Sequence, residues 1–405
     1  MGTLAPAHKK SLKHLAASPD LSLSFKKSIA EHLHVSPENI FLYWKGRVAL
    51  YLLLKSMNVG KGDEVIIPAF TCVVVPNAIL YLGAKPVYVD IDRKTYNINP
   101  DLIQEKVSQR TKVILAQNTF GLPPDIEAIQ KIAQKNNLRV LEDCTHGFGG
   151  QTMGKPNGTI AEASFFSCQW NKPFSTGIGG FAYARDPMII GKLHDMEKEF
   201  IQPSFMDQLQ LRSMIAVRNL LNNSSAYWLA VKTYRRLSKM GLVIGSSSDD
   251  ELNDILMPAD FLKAMSAVQM KQGIGQLARI KEFIDKRISI ARRYSAFLTG
   301  ENIPVPFVPQ NMQHTFLKYP LLVNDRALFF ERAQKAKIEI GDWFISPIHP
   351  VTKHFERWNF EATSCPVADY SARHIINLPT NPAMSDREVE KVISFLKANR
   401  DLIIR

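Results

Sequence analysis

Residues 85–143 read KPVYVDIDRKTYNINPDLIQEKVSQRTKVILAQNTFGLPPDIEAIQKIAQKNNLRVLED, and this stretch decides the fold. It holds three apolar runs with strand character, KPVYVDID (85–92), KVILAQN (112–118) and LRVLED (138–143). Between them lie PDLIQEKVSQ (100–109) and DIEAIQKIAQKN (125–136), both patterned as helices. Near-continuous apolar strands that alternate with helices predict a largely parallel sheet covered on both faces, so the fold class is α/β.

The alternation extends in both directions. Upstream, RVALYLLLKSM (47–57) has the wide apolar face of a packed helix, and GKGDEVIIPAF (60–70) reads as a turn followed by a strand. A further helix is expected at TCVVVPNAILYLG (71–83). Downstream, ASFFSCQW (163–170) and GGFAYA (179–184) add two strands. The amphipathic FKKSIAEHLHV (25–35) predicts a surface helix with solvated lysines, within an N-terminal arm spanning residues 1–40.

After Asp186 the pattern changes. Residues 190–240 are helical, basic and apolar together, as in MIAVRNLLNN (214–223) and AYWLAVKTYRRLSKM (226–240). Such a segment packs as an inserted helical pair or rests on an acidic membrane surface, and the packing role is the expected one. GSSSDDELND (245–254) has the composition of an exposed loop. A long helical stretch from about Pro258 to Phe297 should then link to a small C-terminal α+β unit containing HTFLKYPLLV (314–323), a helix at RALFFERAQKAK (326–337) and a last helix at SDREVEKVISFLKAN (385–399). The expected organisation is an arm at 1–40, a large domain at 41–257 with a helical insertion near 190–250, and a linking helix with a small domain at 258–405.

Composition narrows the function classes. The chain has 405 residues, 45% of them hydrophobic, enough for a sizeable core. No apolar run is long enough to span a bilayer, and Lys9, Lys10 and Lys13 are not followed by a signal-like apolar stretch, so a cytoplasmic location is expected. Cys72, Cys144, Cys168 and Cys365 are scattered, which indicates neither a disulfide framework nor a metal site. The net charge of +12 favours anionic partners, but the basic residues carry no nucleic-acid motif; a sugar nucleotide suits the charge as well as nucleic acid or acidic lipid does.

Three elements carry chemistry. LRVLED delivers Asp143 to a strand end, where ligands of parallel sheets bind; a carboxylate there is stabilised by a cationic partner such as a protonated pyridine nitrogen. SCQWNKPFSTGIGG (167–180) places Lys172 in a turn after a strand, and a lysine of lowered pKa forms a Schiff base with an aldehyde. KGRVAL (45–50) opens a helix at Gly46, whose exposed amides make an anion site to which Arg47 adds a charge. Each element has an ordinary structural alternative by itself: a helix cap, a surface lysine, a loop-ending glycine.

Together, in this order, they resemble the DegT/DnrJ/EryC1/StrS family of sugar aminotransferases, within the type I fold of pyridoxal-phosphate enzymes. The resemblance runs through GDEVIIPAFT (62–71), GAKPVYVDID (83–92), VLEDCTHGFGG (140–150) and SFFSCQWNKPF (164–174) to GIGG (177–180), resumes at MSAVQMKQGIGQLARIKEF (265–283), and ends in PVADYSARHIINLPTNPAMSDREVEKVI (366–393). It implies a mainly parallel seven-stranded sheet in a large domain that binds pyridoxal 5'-phosphate, with a homodimer as the assembly. Lys172 looks like the lysine that carries the cofactor and shuttles the proton, and Asp143 like the carboxylate that keeps the pyridine nitrogen protonated. Ser167 matches the serine that binds the cofactor phosphate. Gly46 and Arg47 take the place of the phosphate-binding Gly-Thr, with Val48 beside them, and His146 falls where a Gln or His approaches the ring hydroxyl.

Three departures stand out. Arg47 replaces Thr, Cys72 replaces a ring that stacks on the cofactor, and LKAM (262–265) replaces an NYRM-like stretch that offers a polar group across the dimer interface. Arg47 is expected to substitute for that lost contact, and His146 to fill part of the stacking gap. The implied reaction moves an amino group, from L-glutamate, to a keto sugar linked to a nucleotide, in surface polysaccharide or glycan biosynthesis. The alternatives are another pyridoxal-phosphate reaction, or a binding module that has kept the fold without turnover.

Overall fold

A computed structural model of the chain describes residues 18–221, 251 and 255–405. Seven strands form the central sheet: β1 (Ile40–Tyr43), β2 (Glu64–Pro68), β3 (Lys85–Val89), β4 (Thr111–Gln117), β5 (Arg139–Asp143), β6 (Ala163–Ser167) and β7 (Gly180–Ala184). Their spatial order is β1-β7-β6-β5-β4-β2-β3. The run from β3 to β6 is parallel, and β7 is antiparallel to both of its neighbours.

Alternate residues of each strand serve opposite faces, and both sets are apolar. Phe41, Tyr43, Val113 and Leu115 join a core with helix α2 (Gly46–Ser56), while Ile40 and Leu42 face helix α1 (Pro19–Leu33) and Ile114 and Ala116 face helix α4 (Ile126–Lys135), which follows helix α3 (Val74–Leu80) in the chain. Burial on both faces is why these strands read as continuous hydrophobic runs.

α1 starts at Ser18, whose hydroxyl accepts from Leu21 N–H (3.3 Å), and buries Phe25, Ile29, Ala30 and Leu33. It is less exposed than the sequence suggests, because Lys26 lies over the Phe41 ring, 5.5 Å from its centroid. Residues 100–109 form two short 3-10 turns, Pro100–Leu102 and Gln104–Lys106, in place of the expected helix. Ile103 is fully buried and Val107 packs partly buried against the same core, while Leu102 is exposed.

Helices α5 (Pro187–Glu197) and α6 (Phe205–Leu221) follow the sheet; the rest of the expected basic helical insertion, 222–250, lies outside the described residues. The expected long helix from Pro258 is two helices, α7 (Ala267–Leu277) and α8 (Ile280–Gly300). Before α7 the backbone is engaged in bridges from Lys263 to Ile201 and from Ala264 to Tyr43. Ser266 and Gln269 then form a reciprocal capping box that sets the start of α7. Beyond α8, helices α9 (Arg326–Lys335), α10 (Pro366–His374) and α11 (Asp386–Ala398) accompany an antiparallel pair, Tyr319–Leu322 with Ile375–Leu378. A separate apolar core built around Tyr294, Tyr319, Phe329 and Leu396 holds this part together. Among the described residues, no helix is long and apolar enough to cross a membrane.

Candidate active site

A cavity of about 220 Å³ opens beyond the carboxyl ends of the parallel strands. Gly46, Arg47, Cys72, Asp143, His146, Ser167 and Lys172 all line it. Val48 does not; it is buried in the core one position further into α2.

Asp143 is the last residue of β5 and is buried. Its Oδ1 accepts from Thr145 N–H (2.9 Å), which fixes the carboxylate at the strand end. Burial raises its pKa, against the opposing pull of Thr145 and of the Lys172 charge. Lys172 stands in the turn after β6, with its N–H bonded to Gln169 C=O (3.0 Å). Removal from water lowers its amine to about 8, partly countered by Cys72 and Asp143. The turn beyond it is held by Arg287, whose Nη2 donates to Pro173 C=O (3.0 Å).

His146 is buried, and its pKa lies well below the usual value, through burial first and then the charges of Lys172 and Lys318. Its Nδ1 accepts from Phe120 N–H (3.3 Å), which assigns the proton of the neutral ring to Nε2. On its face lies Trp343, with centroids 4.9 Å apart and planes at 9°. Nothing in the sequence pointed to Trp343, because it reaches the site from the C-terminal part of the chain. It is delivered by a two-residue parallel ladder in which Ile348 pairs with Thr71 and His349 with Cys72. Thr71 is also tied to the sheet, donating from its hydroxyl to Gln117 Oε1 (2.6 Å).

At the other end of the cavity stands the start of α2. Lys45, its N-cap residue, makes no side-chain cap, so the first amides of the helix are left to face the cavity with Ser167, Gln169 and Gly179. The approach is close: a methyl on Gly46 would meet Phe166 O and Ser167 Cβ, each at 3.0 Å. Lys45 lines the same end, and burial, with the neighbouring Arg47 charge, lowers its amine to about 8. The KGR triplet, with two cations flanking a helix-opening glycine, was the available signal for Lys45. Arg47 pairs with the carboxylate of Glu251, which is 1% exposed. Glu251 falls in the segment expected to be an exposed loop; the ion pair and the Asn77 Nδ2 bond to its carbonyl (2.8 Å) draw it inside. In LKAM, Lys263 binds Asp260 (2.7 Å) and Asp207 (3.3 Å), so its charge is engaged within the subunit.

An uncapped helix start, a buried amine of lowered pKa and a buried carboxylate on the wall of one cavity fit a flat aldehyde-bearing phosphate ester. They suit an enzyme that works through a carbonyl compound. The family model described as DegT/DnrJ/EryC1/StrS aminotransferase family matches residues 20–397. Relatives include the UDP-N-acetyl-3-dehydro-alpha-D-glucosamine 3-aminotransferase of Acidithiobacillus ferrooxidans, 27% identical over 87% of this chain and 82% of the relative. The GDP-perosamine synthase of Escherichia coli O157:H7 is 27% identical over 90% of this chain and 86% of its own. Among solved structures, the aminotransferase TlmJ from Streptoalloteichus hindustanus superposes with a TM-score of 0.75 at 24% identity, covering 96% of this chain and 92% of that one. The chain belongs to the DegT/DnrJ/EryC1/StrS aminotransferase family, and its cofactor is pyridoxal phosphate.

Proposed function

We propose that the protein transfers an amino group, from L-glutamate as donor, to a keto group on a nucleotide-linked sugar destined for a surface polysaccharide or other glycan. The observation that carries this reading is the placement of Lys172 and Asp143 in one cavity at the ends of neighbouring parallel strands. The names of the curated relatives, which act on UDP- and GDP-linked sugars, support the substrate class, and the net charge of +12 suits a diphosphate.

Pyridoxal phosphate supplies an aldehyde that bonds an amine and a ring that, when protonated at nitrogen, takes up the electron pair of a broken C–H bond. Lys172 would hold that aldehyde. With its pKa at about 8, about a tenth of the amine is neutral at pH 7, enough to attack a carbonyl and later to accept and return a proton. Asp143 would pair with the ring nitrogen, a cationic partner that relieves the cost of its burial. The α2 amides, Ser167 and Lys45 would bind the phosphate, and His146, with its proton on Nε2, would approach the ring. Arg47, committed to Glu251, would shape this end of the cavity as much as it charges it.

The assembly we infer is a homodimer. Supporting it are Phe205, Met206, Leu209 and Val217 of α6 with Leu256 and Met257, large apolar side chains exposed on this subunit.

The experiment is direct. Protein loaded with pyridoxal phosphate is expected to be coloured, to lose that colour with L-glutamate, and to regain it with a keto sugar nucleotide as an amino sugar appears. Loaded protein whose spectrum ignores every amino donor would overturn the reading.

A further inference from the structure

We propose that Trp343 supplies the aromatic face for the cofactor ring that this chain lacks at Cys72. The inference rests on the placement of the cofactor against Lys172 and Asp143 given above. It adds a residue that arrives from the other end of the chain.

Position is the first argument. Trp343 lines the same cavity as Cys72, Asp143 and Lys172, and Lys172 Nζ stands 4.8 Å from the centroid of its ring. The indole thus flanks the amine that would carry the ring.

Orientation is the second. The indole is nearly parallel to the His146 imidazole, and His146 follows Asp143 by three residues, on the loop that leaves β5. A third flat ring is accepted by such a pair on the outer face of the indole or between the two rings, and either arrangement changes the surroundings of Trp343. Electronically the match is favourable, since a pyridine ring kept cationic by Asp143 is electron-poor and indole is the most electron-rich side-chain face. Lys318 Nζ, 5.0 Å from the same ring, shows the indole already engaged with positive charge.

Anchoring is the third. Thr71 N–H donates to Pro347 C=O (3.0 Å) and Val73 N–H to His349 C=O (2.8 Å), so the segment that carries Trp343 is bonded to the backbone on both sides of Cys72. Trp343 N–H donates to Asn377 Oδ1 (3.0 Å). Phe344 is buried behind it, stacked on Phe120 at 25°. The missing ring at position 72 and the ring present at 343 are thus fastened to one another through the main chain.

The test uses full-length protein stripped of cofactor and titrated with pyridoxal phosphate, as wild type, Trp343→Phe and Trp343→Ala, with affinity from equilibrium dialysis and tryptophan emission recorded at each step. Saturation should quench a component of emission that wild type has and Trp343→Phe lacks, the other four tryptophans being common to both. Trp343→Phe should bind within about twofold of wild type, and Trp343→Ala about tenfold more weakly. Should Trp343→Ala fail to fold, Trp343→Leu takes its place with the same expectation. Undiminished affinity in the aliphatic variant, or no difference in quenching between wild type and Trp343→Phe, overturns the inference. A wild-type protein that binds no pyridoxal phosphate would instead sink the cofactor placement on which it rests.

Discussion

Gly180 and Gly46 meet backbone to backbone: a methyl group on Gly180 would stand 2.2 Å from Gly46 Cα and 2.4 Å from its nitrogen. The start of α2 is therefore seated directly on β7, and its height over the sheet is set by the absence of a side chain. Gly180→Ala should cost about 1–3 kcal/mol in denaturant unfolding and weaken cofactor binding, because the backbone itself must shift. Gly191→Ala is the control. Gly191 is exposed in α5 with nothing within 4 Å of an added methyl, and this variant should gain about 0.4–1 kcal/mol through the entropy of the unfolded chain.

Lys172→Ala should fold and melt as a single species while transamination falls by about three orders of magnitude or more. Circular dichroism and a coupled assay for the amino sugar check the two halves separately.

The lowered amine of Lys172 sets a pH dependence. Cofactor capture needs the neutral amine, so the rate of colour formation should rise about tenfold per pH unit below neutrality and level off above about pH 8, where this amine titrates. A midpoint near 10.5 would contradict the burial argument. Stability moves with the same sign: the folded amine holds fewer protons than the unfolded one between about 8 and 10.5, so its destabilising contribution fades as pH rises through that window. Lys172→Ala should lose both dependences.

Asp143→Asn is expected to separate stability from function. The carboxyl is held above its ordinary pKa by burial, so folding takes up protons and this residue's contribution falls as pH rises through the shifted range. Removing the charge should stabilise the cofactor-free protein at neutral pH by about 1 kcal/mol, while kcat falls by about 100-fold or more through loss of the ring nitrogen's partner. Thermal melts and steady-state kinetics decide it.

Arg47→Ala leaves the buried Glu251 carboxylate without its guanidinium and should destabilise the fold by about 3 kcal/mol. The double variant Arg47→Leu with Glu251→Gln should recover most of that loss. If cofactor affinity recovers with it, Arg47 acts through packing; if affinity stays low, Arg47 acts on the phosphate itself.

The central strands were legible as buried apolar runs; Lys172 and Asp143, which line one cavity, were singled out by the order of the elements and the family resemblance, since each alone had an ordinary reading. β1 was not legible, since IFLY at 40–43 is four residues long and its partner, β7, is far away in the sequence. Trp343, Lys45 and Glu251 escaped for a related reason. A Trp-Phe pair, a lysine beside a glycine and an acid among serines look ordinary until tertiary contacts bring Trp343 and Lys45 to the cavity and Glu251 to Arg47. The helix expected at 258–297 was half legible; periodicity found α7 and α8, but the β-bridges of Lys263 and Ala264 leave no periodic trace.

The ladder joining Thr71 and Cys72 to Ile348 and His349 also bears on how the protein is made. A ribosome releases Lys172, Asp143 and the whole parallel sheet well before it reaches the strand that roofs them, so a nascent chain has a floor without a ceiling until its last quarter emerges. A translation product that stops short of residue 343, however well its sheet folds, lacks Trp343 and the strand that pairs with Thr71 and Cys72.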